Sequence, residues 1–337
     1  MRSHLSASHV LFAASLALAL TASSTRGHAG ADSVDDHIAA AKAAAGQDHL
    51  GLFGSVCAPT SIRRETPPQR GQGAAAGAVA QRPAPPDRSQ WHTEPAKVFD
   101  NLYFVGQTEY SAWAVTTSDG IIIIDTIFDY SVEDEVVGGL KKLGLDPSKI
   151  KYVIVSHGHA DHSGGARYLQ DRFKARVMLS AADWELLARN TPETSRPRRD
   201  MVVTDGQKLT LGDTTLTFYL TPGHTQGTVS TLVPVKDNGR PHLVAEWGGT
   251  LFAGLRTRDD FDVYIKSADR FRDIVSREGA DAIISNHTNY DGSKVKLPAL
   301  ALRKPADRHP YVVGNDTVKR YLTVVSECAR AAQAALP

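Results

Sequence analysis

Beyond residue 90 the chain alternates short apolar runs with stretches whose apolar positions recur every three or four residues, the rhythm of strands laid between helices. Residues 98–105 and 112–117 read as antiparallel strands. Residues 121–124 are consecutive isoleucines closed by Asp125, a pattern that fits a strand buried on both faces. Residues 132–143 read as a helix that Gly144 stops and Pro147 follows. A strand at 152–155, a helix at 161–173, a strand at 177–179 and a helix at 181–189 come next. The second half repeats the style. Residues 207–211 and 214–220 form a hairpin about Gly212-Asp213, and 229–235 and 243–247 flank a turn at 236–241. A helix at 267–277, a short strand at 281–285 and a long helix at 311–335 follow. Strands in two similar clusters with helices outside predict an α/β fold, a four-layer αββα sandwich.

The first ninety residues follow other rules. Residues 1–29 carry Arg2, an apolar stretch at 10–20 and a small-x-small site at Gly27-His28-Ala29. The apolar stretch is too short to span a bilayer and fits a cleaved secretory signal peptide, hence a secreted or periplasmic protein. Residues 30–57 read as a helical N-terminal flank, with an Ala-rich helix at 35–45 ended by Gly46. Residues 58–89 are dominated by Pro, Gly, Ala and Arg; they lack the apolar surface to order themselves and read as a flexible linker. Residues 90–337 then form the catalytic domain with its C-terminal helix.

Removing the leader leaves 36 basic and 37 acidic residues, a balance that offers no pull toward nucleic acid or an anionic membrane. The chain has two cysteines, Cys57 and Cys328, one in each flank. In an oxidising compartment a disulfide tying the flanks together is favoured over two free thiols.

The chemistry concentrates at residues 151–165, KYVIVSHGHADHSGG, where an apolar run delivers the chain into a Gly-containing turn. Histidine is 13 of 337 residues, yet His157, His159 and His162 fall within six positions beside Asp161. Imidazole nitrogen and carboxylate oxygen are ligands suited to zinc and similar borderline metals. His157 and His159, two apart on extended chain, project to one side, while Asp161 and His162 open a helix and face a second point. Two more histidines sit just past strand ends: His224 in TPGHTQGT and His287 in IISNHTNYDG. Together these are six ligands, three for each of two zinc ions, with each site open to water or substrate. His92, His242 and His309 lack that strand-end Gly or Pro setting and read as structural; His37 and His49 read as solvated.

HGHADH followed by Gly164-Gly165, TPGHTQGT and the later lone His resembles the metallo-β-lactamase superfamily of zinc hydrolases, over nearly all of residues 95–290. The resemblance implies His157, His159 and His224 at the first zinc, Asp161, His162 and His287 at the second, Asp161 as the catalytic orienting group, and Asp125 as a hydrogen-bonding support. Within the superfamily, lactonases and glyoxalase-II-like thioesterases carry a metal-bridging Asp where this chain has Gly249, in EWGGTLFAG; the largest β-lactamase subclass has a Cys ligand there, and this chain has none. The pattern is most similar to the third subclass of class B β-lactamases, as are Trp91 and the segment 98–106. It departs where that subclass commonly places serines for the β-lactam carboxylate: here stand Thr250, Leu251 and Phe252, of which Thr250 alone offers a hydroxyl. The resemblance thus implies an exported dizinc hydrolase that opens β-lactam rings. The alternative is a zinc hydrolase of the same fold acting on another ester, lactone or amide. Either takes a small-molecule substrate, with no nucleic acid and, after processing, no membrane.

Overall fold

The computed structural model describes residues 33–62, 84–252 and 254–337. The expected signal peptide and residues 63–83 of the expected linker lie outside the described residues.

Seven strands form the first sheet in chain order: β1 (Ala96–Lys97), β2 (Leu102–Phe104), β3 (Trp113–Thr117), β4 (Gly120–Ile124), β5 (Ile150–Ile154), β6 (Arg176–Ser180) and β7 (Met201–Val203). Pairing is antiparallel up to β4 and parallel from β4 to β7. Five strands form the second: β8 (Lys208–Leu211), β9 (Thr214–Leu220), β10 (Val229–Asp237), β11 (Arg240–Trp247) and β12 (Ala282–Ser285), in the order β12-β11-β10-β9-β8. Only the β11–β12 pair there is parallel. The inner faces meet over Phe104, Trp113, Ile124, Phe218, Val244 and Tyr311. Helices Gly138–Lys142, Ala166–Phe173 and Ala181–Asn190 cover the outside of the first sheet through Leu140, Leu169 and Leu187. Helices Arg258–Glu278 and Asn315–Ala334 cover the second through Phe271, Val275 and Leu322. This is the αββα sandwich read from the sequence.

The differences have physical reasons. Residues 98–105 are not one strand: β1 and β2 fold back on each other about Asp100-Asn101, and Val98 and Phe99 are buried at the turn, which made the apolar run look continuous. The helix expected at 161–173 is broken into Ala160–Ser163 and Ala166–Phe173. A Cβ on Gly165 would lie 2.5 Å from Val132, so the break lets two segments touch that side chains would separate. The turn expected at 236–241 shrinks to Asn238-Gly239, whose left-handed φ values of 51° and 80° let β10 and β11 run to its edge. Helix Arg258–Glu278 starts nine residues before the expected 267, at a capping box of Thr257 and Asp260; charge in its first turns hid it from an apolar count. The last helix starts at Asn315 rather than 311, because Tyr311 is drawn into the core between the sheets. Strand β7 and helices Leu50–Val56 and Ser293–Ala301 carried no periodic signal long enough to read.

The N-terminal flank is part of the same packed body. Helix Val34–Ala45 opens with a capping box of Ser33 and Asp36, and with helix Leu50–Val56 it buries Ala41, Ala45 and Leu52 in the core shared with the C-terminal helix. Cys57 and Cys328 are bonded, closing a separation of 271 residues. His37 and His49 are not solvated as expected: His37 pairs with Glu327 at 2.7 Å, and His49 is buried with Nε2 2.9 Å from the Thr317 carbonyl. Burial holds the His49 imidazole down to about 4.

Two outcomes follow. Cys328→Ser should cost about 2–4 kcal/mol in denaturant unfolding, and an unchanged midpoint would mean the bond constrains nothing. Below pH 6.5 the unfolded chain protonates His49 while the folded one keeps it neutral to about 4, so this group's contribution is lost as pH falls through that window. The melting temperature of the wild type relative to His49→Gln should therefore drop between pH 7 and pH 4; a pH-independent gap refutes it.

Candidate metal centre

The two sheets bring the C-terminal ends of β4, β5, β9, β11 and β12 to one edge, and each candidate ligand follows such an end. Within the cluster a ligand atom from each of His157, His159 and His224 lies within 4.8 Å of the others, and the same holds for Asp161, His162 and His287. All six residues singled out by the sequence are thus brought together, in two groups of three.

Their donor atoms converge. His224 Nε2 lies 3.1 Å from His157 Nε2 and 3.1 Å from His159 Nδ1. Three ring nitrogens aimed at one another cannot all be satisfied by hydrogen bonds among themselves, and a cation resolves that geometry. His162 Nε2 is buried with no hydrogen bond, although Asp161 Oδ2 lies 3.0 Å away; His287 Nε2 is 3.5 Å from the same oxygen. This donor set fits two cations with the N- and O-ligation zinc prefers.

The opposite edges of the rings are fixed. His157 Nδ1 donates to the Gly248 carbonyl at 2.8 Å, His224 Nδ1 to the Leu251 carbonyl at 2.7 Å, and His162 Nδ1 to Asp125 Oδ2 at 2.9 Å. Each bond selects the tautomer whose Nε2 lone pair faces the centre. Asp125, buried and in the left-handed region at φ 59°, also accepts from the backbone N–H of Ser156 at 2.7 Å and its hydroxyl at 2.8 Å. Asn286 donates to the Gly248 carbonyl at 2.7 Å. On the outer side His287 lies between two tyrosine rings, 5.1 Å from Tyr110 and 5.0 Å from Tyr290.

Burial holds His157 well below the usual imidazole range, aided by His162 and His224. Burial likewise lowers His224 to about 4 and His287 to about 3, so these rings are neutral, the form that ligates. His162 is the exception: burial opposes its charge, yet the Asp161 and Asp125 carboxylates push it up to about 10. Burial resists ionisation of Asp161 too, but His162 and His287 hold its carboxyl well below the ordinary range. Deeper, burial and the Asp125 carboxylate push the Glu246 carboxyl well above its ordinary range.

The sequence missed Asp183. Buried at the start of helix Ala181–Asn190, its Oδ2 accepts from Gly158 N at 2.8 Å and Thr225 Oγ1 at 2.8 Å, tying the His157–His159 turn to the His224 turn. The only trace in the sequence was Ser180 three residues before it, a helix-start pattern. Thr250 does not offer the hydroxyl expected of it: it is buried, and Phe252 beside it packs on Phe261 and Tyr264. At Gly249 a Cβ would lie 2.7 Å from the His224 Cβ, so a larger residue would force the His224 turn to shift. His92, His242 and His309 stand apart on Glu135, Asp281 and the Val98 carbonyl, as structural residues do.

Residues 105–237 match the metallo-β-lactamase superfamily model. Among curated proteins the chain is similar to a hydroxyacylglutathione hydrolase of Mesorhizobium japonicum, 32% identical over 127 residues that cover 38% of this chain and 43% of that protein. An N-acyl homoserine lactonase of a Bacillus species is 26% identical over 43% of this chain and 59% of its own length. The chain thus spans less than two thirds of these curated relatives. Among solved structures, BJP-1, a subclass B3 metallo-β-lactamase of Bradyrhizobium japonicum, superposes with a TM-score of 0.60 at 26% identity, covering 70% of this chain and 91% of that one. A metallo-β-lactamase of Cronobacter sakazakii superposes at 0.58 and 26% identity, covering 68% and 90%.

If the carboxylates act by holding rings and loops, Asp125→Ala and Asp183→Ala should each weaken zinc retention about 10- to 100-fold in chelator competition while leaving the far-ultraviolet circular dichroism unchanged. Retention equal to wild type would assign them to packing alone.

Proposed function

Because residues 105–237 form a metallo-β-lactamase superfamily domain, we propose that this chain is an exported hydrolase that opens β-lactam rings with two zinc ions. The observation that carries the reading is the pair of three-residue ligand groups together with Gly249, packed against His224, where other branches carry a bridging Asp or a Cys. His157, His159 and His224 would hold one ion and Asp161, His162 and His287 the other. When bound, zinc lowers the pKa of water from roughly 15.7 toward about 7 and polarises the substrate carbonyl.

The chain's own residues do the rest. Asp161 accepts a hydrogen bond from the attacking water and so turns the water's oxygen lone pair toward the carbonyl carbon. Asp125 and the Gly248 and Leu251 carbonyls hold the imidazoles so that none competes for the proton. Water adds across the C–N bond; the carbonyl becomes a carboxylate and the nitrogen leaves as an amine. The leader-like residues 1–29 support export, and no helix of the described residues is long and apolar enough to cross a membrane.

A second reading keeps the site and changes the substrate. The buried Thr250 and Phe252 leave no hydroxyl at the place where a β-lactam carboxylate would be anchored, and curated relatives are named as a hydroxyacylglutathione hydrolase and an N-acyl homoserine lactonase. The two are separated by assaying zinc-loaded protein on carbapenems and penicillins beside lactones and aryl esters. Ring opening of the β-lactams, lost with chelator and restored by zinc, is expected; turnover confined to lactones or esters would move the assignment. His159→Ala and Asp161→Ala should lose turnover and zinc together, and undiminished hydrolysis in either would overturn both readings.

A further inference from the structure

Three of the candidate ligands are held from behind. Hydrogen bonds to the Gly248 and Leu251 carbonyls and to Asp125 fix the far nitrogens of His157, His224 and His162. His287 has no such brace. The polar contact of its ring is Asp161 Oδ2 at 3.5 Å, and no acceptor among the described residues meets its other nitrogen. Its place is therefore set by packing and by the turn at 287–290 that carries it.

That turn is gripped on two sides. On one, Thr288 Oγ1 donates to the Thr108 carbonyl, and His287 forms a backbone bridge with Tyr110. On the other lies helix Leu50–Val56 of the N-terminal flank. Asn289 Nδ2 donates to Ser55 Oγ at 2.7 Å, and that hydroxyl donates in turn to the Gly51 carbonyl at 2.8 Å. Gly51 approaches so closely that a Cβ there would lie 2.6 Å from the Asn289 carbonyl oxygen. Tyr290, whose ring stands 5.0 Å from His287, is buried in the same core as Leu52 and Val56. Cys57 caps this helix, and its bond to Cys328 keeps the helix end from drifting away from the turn.

We infer that helix Leu50–Val56, anchored by the Cys57–Cys328 bond, is a positioning element for the second ligand group. Through Gly51, Ser55 and Asn289 it holds the His287 turn, so the flank governs retention of the second cation and leaves the first alone. The first group has braces of its own, in the Gly248 and Leu251 carbonyls and in Asp183. The inference rests on the two-cation reading of the site and is independent of the substrate.

The test titrates zinc-loaded full-length protein with a chromophoric chelator, which reads the release of each ion without turnover. Asn289→Ala, Ser55→Ala and the paired Cys57→Ser/Cys328→Ser should each weaken the second ion about 10- to 100-fold and leave the first as in wild type. Ser55→Thr, which keeps the hydroxyl, should restore retention. Gly51→Ala is the sharper probe: alanine favours a helix, yet here it should weaken the second ion, because its methyl group displaces the Asn289 carbonyl. Repeating Asn289→Ala and Gly51→Ala in a His287→Ala background separates positioning from general stability, since neither should then alter the ion that remains. A second ion held as tightly in Asn289→Ala and Gly51→Ala as in wild type overturns the inference. Equal weakening of both ions, or a further loss in the His287→Ala background, does the same. If the cysteine pair fails to fold, the single substitutions decide. A wild type that holds no second ion overturns the two-cation reading and this inference with it.

Discussion

Buried carboxylates that bind loops rather than substrate hold this site together. Asp125 spends its two oxygens on three donors, two from Ser156 and one from the His162 ring. Asp183 joins the turn after β5 to the turn after β9 through Gly158 and Thr225. Each sits where desolvation is expensive, so each persists only because its hydrogen bonds repay that cost. Those bonds are what turn a loose set of histidines into two convergent groups. An isolated His-rich loop would lose its ordering entropy to no purpose; here the sheets and the two acids supply the order in advance.

The fold and the six convergent residues were legible because each leaves a local mark. A strand followed by a turn and a cluster of imidazoles is a pattern read within fifteen residues, and Asp125 ends the most apolar run of the chain. Asp183 left no such mark. Its role depends on meeting Gly158 and Thr225 from 25 and 42 positions away, which no window of sequence contains. The same is true of Gly249, whose meaning comes from the His224 side chain lying against it, and of Thr250, whose burial only the neighbouring helix decides. Element boundaries failed where charge masked a helix, as at Arg258–Glu278, or where a buried turn looked like extended chain, as at Val98 and Phe99.

The flanks show how the second sheet is sealed. Its outer face is covered by two long helices, and the N-terminal helices fit against the last of them, fixed by the Cys57–Cys328 bond and by the buried His49. Pro85 and Pro86, ahead of β1, border a cavity beside the metal-binding turn. The helical flank at 33–57 thus packs into the main body, and Pro85 and Pro86, from the stretch whose composition reads as linker, form part of a cavity wall.

The contact between Gly249 and His224 has a historical implication. Gaining a bridging carboxylate at this point would require displacing an imidazole that the Leu251 carbonyl already holds. A side chain at Gly249 could be seated only together with a shift of the His224 turn or of Thr228. With the floor of the site packed this tightly, changes that alter its reach fall more easily on the surrounding walls than on Gly249.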